Sequence, residues 1–167
     1  MIRRLRLALV VVTLVLLQTT LVADLRISGA TPSLLLVATL GVAYEEGPDG
    51  GAAFGFLAGL AIDCFLNTPL GASALTFALT GWSLGVLQGG LVREMRFFSS
   101  LLAFLFGLLG GSIFVVVVTV AGNDNLLTGY GLKVTVLGAV LDALVAPPLF
   151  AAVRWARGRD DQARWRR

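Results

Sequence analysis

The sequence predicts an all-α integral membrane protein, a compact bundle of six transmembrane helices with the N- and C-termini in the cytoplasm. Of its 167 residues, 57% are hydrophobic and only 14% are charged, whereas a soluble domain carries about 25% charged residues. Several apolar runs approach or exceed the roughly 18 residues that mark a membrane-spanning helix. The arginines gather at the two ends of the chain and in one loop, as expected for cytoplasmic segments of a membrane protein.

The apolar runs place the spans in order along a single polytopic membrane domain. They lie near residues 5–23, 31–44, 51–66, 70–92, 98–121 and 131–153, and a basic cytoplasmic tail follows at 154–167. The first run follows a basic start and resembles a secretory signal, with a possible cut after Ala23. Its length and the bulky Leu21 near that cut favour a retained helix.

The second run is the least certain span, because about fourteen residues at 1.5 Å each cover only ~21 Å of a ~30 Å hydrocarbon core. A re-entrant or interfacial segment is therefore an alternative. If all six runs cross the membrane, every basic residue except Arg26 and Lys133 falls on the cytoplasmic side. If the second run does not cross, Arg93, Arg96 and the basic tail move outside, against the positive-inside rule. Charge thus favours six spans.

Glycines that recur every fourth residue form smooth stripes on three of the predicted helices. The stripes consist of Gly51, Gly55 and Gly59 in the third span, Gly81, Gly85 and Gly89 in the fourth, and Gly107 and Gly111 in the fifth. Small residues let helix backbones approach closely in lipid. We expect the stripes to pack within the bundle, and a groove that receives a helix from another protein is the alternative.

Asp142, in GAVLDALVAPP, lies near mid-depth in the last span, where an unpaired charge costs several kcal/mol. No basic residue lies at that depth. Trp82 of the fourth span lies at a similar depth, and its indole N–H needs an acceptor. We therefore expect Trp82 to donate a hydrogen bond to Asp142. Pro147 and Pro148 should kink the inner end of the last helix.

Asp63 lies near the outer end of the third span and is followed by CFLNTPLG. We expect its carboxylate to accept backbone N–H groups of the turn or of the next helix start, in a turn set by Pro69 and Gly71. Contact with a proton or a ligand is the alternative. The single cysteine, Cys64, cannot form an internal disulfide and is interpreted as a small apolar packing residue.

The composition argues against an enzyme and against nucleic-acid binding. The chain has no histidine and one cysteine, so the usual transition-metal sites and a histidine general base are missing. It contains no nucleophile elbow, metalloprotease motif or phosphate loop. We predict no catalytic residue, no metal and no cofactor, and the basic residues are better explained by membrane topology.

The stretch GFLAGLAIDCFLNTPLGASAL, residues 55 to 75, resembles the signature of the rod shape-determining protein MreD family. Chain length, the N-terminal arginine cluster and the basic C-terminal end are also similar to that family. The motif consists of a glycine-rich helix, a Gly-Leu-x-x-Asp step and a Pro-Leu-Gly turn. Its positions in this sequence are Gly59, Leu60, Asp63, Pro69, Leu70 and Gly71. With Gly51 and Gly55, we interpret them as structural or partner-facing residues.

The resemblance implies a non-enzymatic scaffold in the bacterial inner (plasma) membrane. Such a protein would bind the transmembrane helix and juxtamembrane region of MreC and, through it, work with MreB, RodA and a class B penicillin-binding protein in lateral peptidoglycan synthesis. The family's fold is similar to the S-components of energy-coupling-factor transporters, so vitamin or micronutrient uptake is the alternative function. The Ala-x-x-x-Ala patch of many S-components is missing, since the first span has only Ala8 and Ala23.

Overall fold

The computed structural model describes residues 2–22, 30–65, 69–88, 99–120 and 129–157. Throughout these ranges the regular structure is helical, which confirms the predicted all-α class. The helices are α1 (Ile2–Leu17, continued by a π-helical turn over Gln18–Val22), α2 (Leu34–Asp63), α3 (Ala72–Leu87), α4 (Ser99–Val120) and α5 (Gly129–Arg157). Gly89, Arg93, Arg96 and most of the basic tail lie outside the described residues.

Within the described residues, two helices are long and apolar enough to cross a membrane. These are Ser99–Val120 and the stretch Gly131–Ala156 of α5. Leu9–Thr20 and Ala72–Leu87 are also apolar but shorter. The lengths agree with a membrane protein, while the six spans and the cytoplasmic termini stay predictions. α5 remains helical through Pro147 and Pro148.

α2 reverses direction at Gly47 and Pro48. Gly47 has φ 79° and ψ −166°, a combination that is essentially restricted to glycine. A Cβ added to Gly51 would lie 2.5 Å from Ala43 Cβ, and one added to Gly55 would lie 2.8 Å from Thr39 Cγ2. Ala43 and Gly51 are each four residues from Gly47, and Thr39 and Gly55 are each eight residues from it. Segments 34–46 and 48–63 therefore pack side by side in opposite directions. They correspond to the predicted second and third spans, and Pro48 opens the second segment, where a missing N–H is harmless.

The first segment of α2 forms the centre of the bundle. Every residue from 34 to 43 is buried, as expected for a helix that is hydrophobic on all sides. It packs closely against two other helices. A Cβ added to Gly110 of α4 would lie 3.1 Å from the side chain of Leu36, and one added to Gly41 would lie 3.3 Å from the side chain of Val153 of α5. A segment surrounded by other helices does not need the length of one that faces lipid.

Candidate functional site

The glycine stripe of α2 packs against the backbone of α3. Gly51, Gly55 and Gly59 are all buried. A Cβ on Gly55 would lie 2.5 Å from the carbonyl oxygen of Phe77, and a Cβ on Gly59 would overlap the backbone of Ala74. No larger side chain fits between these two helices. This face is therefore filled from within the chain and offers no groove to a helix from another protein.

The stripe on α3 lies on the other side of the same contact. A Cβ on Gly81 would lie 2.7 Å from the carbonyl oxygen of Gly51, and a Cβ on Gly85 would overlap the backbone of Pro48. The two stripes meet directly at Gly51 and Gly81, and the other glycines pack against the backbone of the facing segment, which brings the helix axes close together.

Gly107 and Gly111 of α4 face α5. A Cβ on Gly107 would lie 3.2 Å from Ala139 Cα, and a Cβ on Gly111 would lie 2.5 Å from Thr135 Cγ2. The contact at Gly107 is looser than that at Gly111, because an added Cβ would be tight, at 3.2–3.3 Å from its neighbours, but would not overlap them. All three stripes, where they are described, therefore pack inside the bundle.

Asp63 caps the start of α3. Its Oδ2 accepts hydrogen bonds from the backbone N–H of Gly71 at 2.9 Å and of Ala74 at 3.3 Å, and its Oδ1 accepts one from Ser73 at 3.2 Å. The side chain is only 2% exposed. A negative charge at a helix N-terminus also interacts favourably with the helix dipole. Asp63 therefore makes the backbone contacts expected from the sequence.

The rest of the motif forms the turn before α3. The carbonyl oxygen of Pro69 accepts a hydrogen bond from the N–H of Ala72 at 3.1 Å. Gly71 has φ 96°, a left-handed conformation that favours glycine. Leu60 and Leu70 are exposed. Cys64 is exposed as well, so the expectation that it packs in the interior is wrong, because the chain leaves α2 at that residue.

Asp142 holds the start of α2. Its Oδ1 accepts a hydrogen bond from the backbone N–H of Ser33 at 2.6 Å, and the side chain is 4% exposed. The next N–H, that of Leu34, donates to Oε1 of Gln18 at 2.8 Å, and Nε2 of Gln18 donates to the carbonyl oxygen of Pro32 at 2.9 Å. Side chains from α5 and α1 thus meet at the first turn of α2.

The expected hydrogen bond from Trp82 to Asp142 does not form. Trp82 is 51% exposed on the outer face of α3, one residue after the buried Gly81. Asp142 instead faces the interior and finds its donor at the start of α2. The two residues lie at similar predicted depths but on different sides of the bundle.

Sequence reasoning missed Gln18 and Ser33. Gln18 is a polar residue near the end of the first apolar run, where a side chain that needs partners is a signal. Ser33 precedes the apolar run LLLVATL, and serine is a preferred residue at the start of a helix. Both signals were present in the sequence, but neither indicates which distant residue is the partner.

A cavity of about 280 Å³ lies beside this junction. Gln18, Ser33 and Asp142 line it on one side, and residues of α3, α4 and α5 form the other walls. The described residues contain no group of three or more His, Cys, Asp or Glu side chains that is arranged to hold a metal ion. The cavity is thus a mixed polar and apolar space with one carboxylate.

Comparison with curated proteins and with solved structures gave no match. The family model of the rod shape-determining protein MreD matches residues 2–154 of the 167. This match covers every described helix except the last three residues of α5. The chain therefore belongs to the MreD family of bacterial membrane proteins, and its role is in the determination of rod shape.

Proposed function

We propose that the protein is a non-enzymatic membrane scaffold of the cell-elongation complex. It binds the transmembrane helix and juxtamembrane region of MreC and helps to position lateral peptidoglycan synthesis. MreB, RodA and a class B penicillin-binding protein are its indirect partners, and its place is the inner membrane as a multi-pass protein. The observation that carries the proposal is the family match over residues 2–154.

The contacts of Asp63 support a structural role for the motif. Both of its oxygens accept backbone N–H groups. A carboxylate engaged in this way is a poor general base, because its lone pairs are already directed at donors. The motif then stabilises the turn between α2 and α3, and the partner is bound elsewhere.

We propose the outer face of α3 as the surface that binds the MreC helix. Leu75, Leu79, Trp82 and Val86 form an exposed stripe on this helix. Their spacing of four, three and four residues keeps them on one face, the pattern along which a second helix packs. The indole N–H of Trp82 has no acceptor among the described residues, and lipid tails offer none. A partner helix with a polar side chain would supply one, and tryptophan is common at binding hot spots.

Photo-crosslinking in cells tests this surface. A crosslinking amino acid at Leu79 should give a covalent adduct with MreC. The same amino acid at Leu105 should give none, although Leu105 is equally accessible on α4, at 51% exposed against 43% for Leu79. An adduct at Leu105 without one at Leu79 would place the partner on another helix. No adduct at any exposed position, together with no co-purification, would reject MreC binding itself.

Depletion of the protein tests the scaffold role at the level of the cell. Rod-shaped cells should become round, and lateral incorporation of labelled peptidoglycan precursors should lose its ordered pattern. Re-expression of the wild-type chain should restore both. Unchanged shape and unchanged incorporation after depletion would contradict the proposal.

Uptake of a small nutrient is the second candidate, and the cavity of about 280 Å³ is the observation that favours it. An S-component would retain a vitamin through purification, and cells without the protein would need more of that vitamin to grow. Rounding of depleted cells with no nutrient requirement would reject this candidate and leave the scaffold. A nutrient requirement with normal shape would do the opposite.

A further inference from the structure

The cavity is large enough for a small organic molecule. Its volume of about 280 Å³ corresponds to roughly nine waters at ~30 Å³ each. It lies near the lower end of the ~300–1,000 Å³ range of small-molecule sites. The walls come from α2, α3, α4 and α5, from the residues just before α2 and from Gln18 in the turn that follows α1, so an occupant would contact most of the bundle.

Asp142 presents a buried acceptor to this cavity. Its Oδ1 accepts the N–H of Ser33, but its Oδ2 accepts no hydrogen bond from any residue that the structure describes. A carboxylate has about four lone-pair sites, and a buried acceptor without a partner destabilises the folded protein. Gly107 leaves space beside this atom because it has no side chain, since an added Cβ would lie only 3.3 Å from Oδ2. The site thus combines an unused acceptor with room for a donor.

The remaining walls are suited to an uncharged, apolar body. Leu35, Phe77, Phe114 and Val115 provide apolar surface. Asp142 is the sole ionisable side chain among the described lining residues. None of the described lining residues is a cation that could bind an anionic ligand, and an ionised Asp142 would repel a ligand carboxylate.

We infer that the cavity binds a small amphipathic molecule whose amine or hydroxyl group donates a hydrogen bond to Oδ2 of Asp142, with its apolar part against Leu35 and Phe77. The bond uses the oxygen that Ser33 does not, so binding leaves the start of α2 in place. The inference concerns the occupant of the cavity. It goes beyond the scaffold role and does not depend on MreC binding.

The test uses the full-length protein in lipid nanodiscs and three matched probes. These are fluorinated phenethylamine, phenethyl alcohol and phenylacetate, which share an aromatic body and differ in the polar group. Fluorine NMR measures their binding, and empty nanodiscs give the contribution of lipid partitioning. At pH 9, where the Asp142 carboxyl is ionised, the amine and the alcohol should each bind at least about tenfold more tightly than the carboxylate, because each donates a hydrogen bond to a charged oxygen.

Asp142→Asn provides the matched variant. Its amide oxygen still accepts the N–H of Ser33, but an amide NH₂ replaces the free acceptor. Binding of the amine and of the alcohol should fall about tenfold. Thr39→Val is the control, since Thr39 is buried and donates its hydroxyl to the carbonyl oxygen of Leu35 within α2 but does not line the cavity, and binding should not change.

Three outcomes would overturn the inference. The first is equal binding of all three probes by the wild-type protein. The second is no binding above that of empty nanodiscs. The third is an Asp142→Asn variant that binds the amine and the alcohol as the wild type does. If this variant does not fold, the ranking of the three probes on the wild-type protein decides alone.

Discussion

Replacement of Asp63 by alanine should lower the free energy of unfolding by about 3 kcal/mol. The carboxylate accepts three backbone N–H groups at the start of α3, and the bond from Gly71 at 2.9 Å is the shortest. Loss of a helix cap costs about 0.5–2 kcal/mol, and a buried donor left without a partner costs about 1–3 kcal/mol. Because Asp63 is 2% exposed, water does not readily take the place of its carboxylate as a hydrogen-bond acceptor. We therefore expect the loss of the cap and the unpaired N–H groups each to contribute part of the destabilisation.

Two further variants separate the cap from general effects of charge. Asp63→Asn keeps one acceptor oxygen and should lose about half as much stability, since one of the two oxygens still faces the helix start. Glu45→Gln removes a carboxylate that is exposed near the reversal of α2. It should change stability by less than about 0.5 kcal/mol, as surface substitutions do.

Reversible unfolding by sodium dodecyl sulfate in mixed micelles measures these differences through tryptophan fluorescence. The predicted order of loss is Asp63→Ala, then Asp63→Asn, then Glu45→Gln. If Asp63→Ala unfolds at the same detergent fraction as Glu45→Gln, the hydrogen bonds to α3 do not stabilise the protein and the reasoning fails. If Asp63→Asn is as unstable as Asp63→Ala, the charge matters and the acceptor geometry does not.

The same titration tests three other sites, with Gly138→Ala as a control. Gly59→Leu should prevent folding, because even a Cβ would overlap the backbone of Ala74. Gly138→Ala should keep a free energy of unfolding within about 0.5 kcal/mol of the wild type, since the nearest neighbour of its Cβ would be 3.9 Å away. Gln18→Leu should cost about 1–3 kcal/mol, because it leaves the N–H of Leu34 without its acceptor. Gly47→Ala should cost about 1–3 kcal/mol, because φ 79° with ψ −166° strains a residue that has a Cβ.

Each of these predictions has a result that contradicts it. Gly59→Leu protein that is monodisperse and as stable as wild type would mean that α2 and α3 are further apart than described. Wild-type stability of the Gln18 variant would mean that this side chain does not hold the start of α2. Equal stability of the Gly47 variant would mean that the reversal tolerates another backbone conformation.

Features that depend on neighbouring residues in the chain were predictable from the sequence. Apolar runs located the helices, and the EEGPDG stretch separated the second and third predicted spans, where α2 reverses at Gly47. Asp63 is only eight residues before Gly71, the first residue whose N–H donates to its carboxylate. A turn with Pro69 and Gly71 brings them together, so the contact follows from local chemistry.

Contacts between distant helices were not predictable in the same way. The sequence gives the depth of a residue in the membrane and the face of its helix, but it does not give which faces meet. Trp82 and Asp142 have a similar predicted depth, yet Trp82 faces outward. Asp142 instead accepts a hydrogen bond from Ser33, which is 109 residues away in the chain. Gln18 likewise acts across 16 residues on Leu34.

The two buried carboxylates solve the same problem at two helix starts. The first N–H groups of a helix have no partner within it, and in an apolar environment no water replaces one. Asp142 reaches from α5 to the start of α2, and Asp63 reaches from the end of α2 to the start of α3. Among the residues that the structure describes, Asp63 accepts hydrogen bonds with both carboxylate oxygens and Asp142 with only one. A ligand at Asp142 thus binds without breaking the bond that holds α2, whereas a ligand at Asp63 would have to displace the cap of α3.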